Sequence, residues 1–172
     1  MEEAGFDHVD DCCWQWAGMQ QYFQIFWNPE ERAEANICLC EQGEVAFAFV
    51  SVTSRDQSGQ ILRTTNFPFS PTLKTAPHVH WNHVPCERNC FHQILEDHRQ
   101  FLSKRKISLE QLMVPDPEAI EESIELEMQH QIRHNLEAGI IHQSDDDRHF
   151  EYSTRGLLFL WGQFIKDMVR LC

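Results

Sequence analysis

Apolar residues recur at every fourth position through Ile120, Ile124, Met128, Ile132 and Leu136, and this spacing predicts an amphipathic helix over residues 117–138. Asp116 can cap the free amides of its first turn, Pro117 stands where a missing N–H costs nothing, and Gly139 supplies a left-handed stop. At 1.5 Å per residue the rod is about 33 Å long. A polar run of turn formers at residues 144–148 then separates two short extended segments, 140–143 and 149–153, which predicts a hairpin. Beyond it Leu157, Leu158, Trp161, Phe164, Ile165, Met168 and Leu171 cover a broad face of a final helix, widened by Phe159 and Leu160 and capped by Ser153 or Thr154. A helix this apolar is expected to be a core helix, buried on most sides. Its apolar run, 156–165, is too short for a bilayer, which takes about 20 residues.

Upstream the period changes to that of strands. Extended segments are predicted at 22–27, 37–40, 45–53, 61–67 and 78–83, with turns at Glu41-Gln42-Gly43-Glu44 and Arg55-Asp56-Gln57-Ser58-Gly59. Pro68, Pro71 and Pro77 mark a loop. Pro85 is expected to open a helix running to about residue 105, with Phe91, Ile94, Leu95, His98, Phe101 and Leu102 on one face. Ser108-Leu109-Glu110-Gln111 has the spacing of a capping box. The expected fold class is α+β: an antiparallel β-meander covered by helices, residues 1–107, with a helical part, 108–172, packed on it.

The C-terminal part carries a resemblance. Leu136-Glu137-Ala138-Gly139-Ile140-Ile141, then Phe150-Glu151-Tyr152-Ser153-Thr154-Arg155-Gly156 and Leu157-Leu158-Phe159-Leu160, resembles the wing region of winged-helix proteins. There a helix ends at a Leu-x-x-Gly-Leu/Ile-Ile pattern, a hairpin follows, and a Tyr-x-Leu-Thr-x-x-Gly strand leads into the next helix. The match spans about 25 residues, and the preceding helix is longer than that family's recognition helix. The resemblance implies a winged-helix-like end to the chain, a shape often used to grip DNA.

Charge argues against that use. Residues 116–138 hold seven acids and one base, and the hairpin tip adds Asp145, Asp146 and Asp147. DNA affinity rests on lysines and arginines displacing counterions from phosphates, so a surface of this sign is repelled. The whole chain has a formal charge of −13, and nucleic acid is not expected as a partner. The exposed carboxylates of Glu121, Glu122 and Glu125, with the three aspartates of the tip, are expected to form an interaction surface for a protein partner.

One stretch has metal-ligand chemistry. His78, His80, His83, Cys86, Cys90 and His92 fall within fifteen residues. His78 and His80 would share one side of a strand, and Cys86 and Cys90 would stack one turn apart on a helix, so four ligands can in principle surround zinc. The plainer expectation is that the histidines lie on a strand surface or edge, and that Cys90 and His98 fill an apolar helix face. Glu127, His130 and His134 have a helical chelating spacing, which is more simply a helix surface. The alternative to an interaction module is therefore a zinc-binding protein or metal-dependent hydrolase built on His78, His80, His83, Cys86 and Cys90.

No phosphate loop, nucleophile elbow or dinucleotide fingerprint occurs in the sequence. Met1 is followed by Glu2, Glu3 and Asp7 rather than by an export signal, so the seven cysteines are expected as reduced thiols in the cytoplasm. The sequence thus points to a non-enzymatic regulatory or interaction module with no transmembrane segment.

Overall fold

Alternating side chains and tight turns account for the central strands of a six-stranded sheet. The computed structural model describes residues 1–16, 19–144 and 149–171. In it β1 (Asp7–Trp16), β2 (Met19–Asn28), β3 (Ala33–Gln42), β4 (Val45–Arg55) and β5 (Ile61–Thr65) pair in sequence order as an antiparallel meander. The β3–β4 and β4–β5 turns carry Gly43 and Gly59 at φ 60° and 82°, a backbone region that glycine enters without steric cost. Asp56 holds the second turn, its Oδ1 accepting from Ser58 N, Ser58 Oγ and Gln60 N.

The last strand, β6 (Val79–His83), runs parallel to β5. Parallel neighbours cannot be joined by a tight turn, which is why the proline-marked loop intervenes. Helix α1 (Phe91–Lys104) starts six residues later than Pro85 suggests. Residues 85–89 are spent on turns, with Arg88 N donating to Pro85 O and Asn66 Nδ2 donating to Arg88 O. Ile94 and Leu95 of α1 pack with Phe6, Phe26, Ala33, Ala35 and Val52. Register explains that grouping, because Ala35 lies opposite both Phe26 and Val52 on one sheet face.

Strand β1 is not foreseen from the sequence. It is an edge strand with Asp7, Asp10 and Asp11, and its register slips between His8 and Asp10, so the two-residue period is broken where it would be read.

The chain partitions into two compact units, residues 1–68 with 78–120, and residues 69–77 with 121–172. In the second, α2 (Ile120–Glu137) extends a 3-10 turn whose N-cap, Asp116, accepts from Glu118 N at 3.1 Å. It ends as the glycine predicts: Gly139 at φ 65° donates to Leu136 O, and Ile140 N donates to Asn135 O. Strands β7 (Ile141–Gln143) and β8 (Phe150–Tyr152) form an antiparallel hairpin, followed by α3 (Thr154–Leu171). Ser153 is the cap of α3. Its Oγ accepts from Gly156 N at 3.0 Å and donates to Gly139 O at 2.6 Å, joining the start of one helix to the end of the other.

Loop 69–77 is held by α2, β8 and α3 of its own unit. Asp167 accepts from Ser70, Asn135 bonds both the N–H and the carbonyl of Lys74, Gln131 bonds Lys74 O and Ala76 N, and Tyr152 Oη donates to Thr72 O. Asn135 is fully buried, a polar side chain tolerated because all its bonding capacity faces backbone.

Candidate functional site

Strand alternation decides the fate of the histidine and cysteine cluster. His80 shares its face of β6 with Asn82, whose Nδ2 reaches Thr64, and its own Nε2 pairs with Gln60 Oε1 at 2.8 Å. Burial and the Arg105 charge hold the His80 imidazolium below its usual pKa, with His78 adding to the effect. His83 stands beside Trp81 on the opposite face, the two rings stacked at 5.5 Å. His78 precedes the strand, its carbonyl accepting from Ile61 N. Cys86 lies in the turn before α1 and Cys90 is the N-cap residue, so they do not stack on one helix; both are exposed. Among the described residues no three histidine, cysteine, aspartate or glutamate side chains converge where a metal ion could sit.

The buried polar chemistry of the first unit lies at His98. Its Nε2 pairs with Ser54 Oγ at 3.1 Å and its Nδ1 with Thr64 Oγ1 at 3.0 Å. Burial pushes its pKa down to about 4, against a weaker upward pull from Glu31. A serine against a histidine suggests a nucleophile and its base. Here both residues are buried and the second ring nitrogen meets a hydroxyl rather than a carboxylate, so the trio reads as a satisfied polar bridge between α1 and the sheet. A cleft of about 370 Å³ adjoins it, lined by Ala33, His98, Arg99, Leu102, Lys106 and Leu109 among others. Arg99 is committed to a two-point pair with Glu31, at 2.6 and 3.1 Å.

The second unit presents both charged and apolar exposed surface. On α2, Glu121, Glu122 and Glu125 are all exposed, and Leu126 is half exposed beside them. Asp145, Asp146 and Asp147 lie outside the described residues.

On α3 the expectation of a core helix is overturned. Leu157, Leu158, Trp161, Phe164, Ile165, Met168 and Val169 are exposed, from 45 % at Met168 to 74 % at Val169. At 100° per residue they fill one arc of about 140°, interrupted only by Thr154. The helix is anchored by its other side: Asp167 holds Ser70, and Arg155 Nη1 donates to Ala138 O at 2.9 Å. The sequence places six of these seven residues on one face, without Val169, but does not say whether anything lies against it. The groups that anchor the helix, Asp167 with Ser70, were not singled out by any motif.

No protein-family model, no curated protein and no solved structure matches this chain. Among the described residues no helix is long and apolar enough to cross a membrane.

Proposed function

We propose that this chain is a non-enzymatic, cytoplasmic interaction module that uses the solvent-facing ridge of α2 to hold a basic protein surface. The observation that carries this reading is the row Glu121, Glu122 and Glu125 left free of bulk protein, on a helix whose one lysine or arginine is Arg133. Such a ridge steers a positive partner and rejects polyanions, while Leu126 offers an apolar contact at its edge. The order α2, hairpin, α3 supports a winged-helix-like shape employed for protein contact instead of DNA. The test is affinity capture from the native host at low and high salt, with purified partner then rebound in isolation. A partner released by salt and lost in the Glu121→Gln/Glu122→Gln/Glu125→Gln variant is expected. Retention of that partner by the triple variant, or tight salt-sensitive binding of duplex oligonucleotides, would overturn the assignment.

A further inference from the structure

The exposed arc of α3 is larger than an isolated folded chain ordinarily leaves in water. Its seven large side chains present on the order of 800 Å² of mainly apolar surface, beyond the largest patch of a typical monomer and close to one side of a standard protein interface. From Leu157 to Val169 at 1.5 Å per residue, the arc is a strip about 18 Å long.

We propose that a second copy of this chain covers it, the two α3 helices packing antiparallel about a two-fold axis. In a two-fold interface residue i meets j and j meets i, so the strip must be complementary to itself when reversed. The seam Leu157, Trp161, Phe164, Met168 steps by four, three and four, and reads the same in both directions. Reversal about its midpoint sets Leu157 against Met168 and Trp161 against Phe164 of the other copy. Beside this seam run Leu158, Ile165 and Val169, which widen the apolar contact on the same side of the helix. Among the described residues nothing lies within 4 Å of where a Gly162 side chain would begin, so their packing does not require a glycine there. Trp161 and Phe164 already form an edge-to-face pair, 6.1 Å between centroids and 87° between planes, and pairing joins two such pairs into a cluster of four rings.

A lipid surface fits less well. An interfacial helix spreads lysines and arginines across its polar face to meet anionic headgroups. Here that face carries only Arg155, Lys166 and Arg170, with Arg155 engaged at Ala138 O, and the chain as a whole is strongly acidic, which anionic headgroups repel. The inference is independent of the α2 ridge, since the two surfaces fail to different variants.

Sedimentation equilibrium of the whole chain over a wide concentration range tests it. The wild type is expected to be dimeric. Trp161→Glu and Ile165→Glu are expected to weaken self-association by on the order of 100-fold or more with unchanged far-ultraviolet circular dichroism, because both positions are exposed in the single chain. Leu126→Glu, an equally exposed site on α2, is expected to leave the dimer intact. A monomeric wild type overturns the proposal, including one that co-sediments with vesicles of phosphatidylcholine and phosphatidylglycerol. A dimer indifferent to both α3 variants, or one that Leu126→Glu also dissociates, overturns it equally.

Discussion

Asp167 of α3 receives three hydrogen bonds from one residue, Ser70: from its N–H at 2.9 and 3.1 Å, one to each carboxylate oxygen, and from its hydroxyl at 2.6 Å. The loop preceding β6 is thus held at its start by a side chain 97 positions away. Ser70 is buried, so truncation leaves its donors without water as well as without a partner. Asp167→Ala is expected to cost about 2–3 kcal/mol, in the range for bonds to a charged acceptor. Asp167→Asn, which keeps one acceptor, should cost less. Urea denaturation measures the difference, and faster amide exchange across residues 70–76 localises it.

The buried His98 makes a pH prediction whose sign is fixed. Its pKa is about 4 in the folded chain and about 6.5 when unfolded, so below pH 6.5 the unfolded state binds a proton that the folded state refuses. Stability is therefore fully present above pH 6.5, falls as pH drops toward 4, and is flat below that as far as this group is concerned. A depression of this size corresponds to about 3 kcal/mol. Carboxylates titrate nearby, so the decisive quantity is the difference from His98→Gln. The wild type should lose its advantage over the variant between pH 6.5 and 4. Parallel stability profiles would show that the imidazole is not held neutral by burial.

The sequence made some of this legible because it acts locally. The Gly139 stop and the Ser153 cap are properties of a few adjacent residues, and their hydrogen bonds form as the types and spacing require. The meander follows for the same reason, from alternation and turn residues. What stayed hidden depends on partners far along the chain. The bulge at His8 and Asp10 masks β1, and the parallel β6 is set by a return from residues 69–77. The arc of α3 was visible as hydrophobicity alone. Composition cannot distinguish an apolar helix covered by its own chain from one that waits for another.

Thiol reactivity should divide the cysteines by burial. Cys13, Cys86 and Cys90 are exposed, while Cys38 and Cys40 are fully buried with their sulfurs 3.6 Å apart. Burial raises the Cys38 thiol pKa well above its usual value, and the neighbouring Cys40 raises it further, so thiolate is scarce as well as inaccessible. Iodoacetamide followed by peptide mass spectrometry is expected to label Cys13, Cys86 and Cys90 in the folded protein. Cys38 and Cys40 should appear only as denaturant opens the sheet. Early labelling at Cys38 would mean that β3 separates from its neighbours under native conditions.

Two glycines of one helix should respond to alanine in opposite directions. A methyl at Gly156 would be driven into the carbonyl of Ile140, a backbone atom that cannot swing aside, because the first turn of α3 lies directly against the exit of α2. Gly156→Ala is expected to destabilise by about 1–3 kcal/mol or more as that junction is forced apart. At Gly162 the corresponding space is empty, and replacing a glycine in a helix interior removes its excess chain entropy at no steric cost. Gly162→Ala should therefore stabilise the helix by about 0.5–1 kcal/mol. The comparison belongs in the Trp161→Glu background, so that association through the same helix does not enter, with thermal unfolding as the readout. Loss of stability at Gly162 in that monomer would place an undetected neighbour of the same chain against α3, and the arc could not then be free for a second copy.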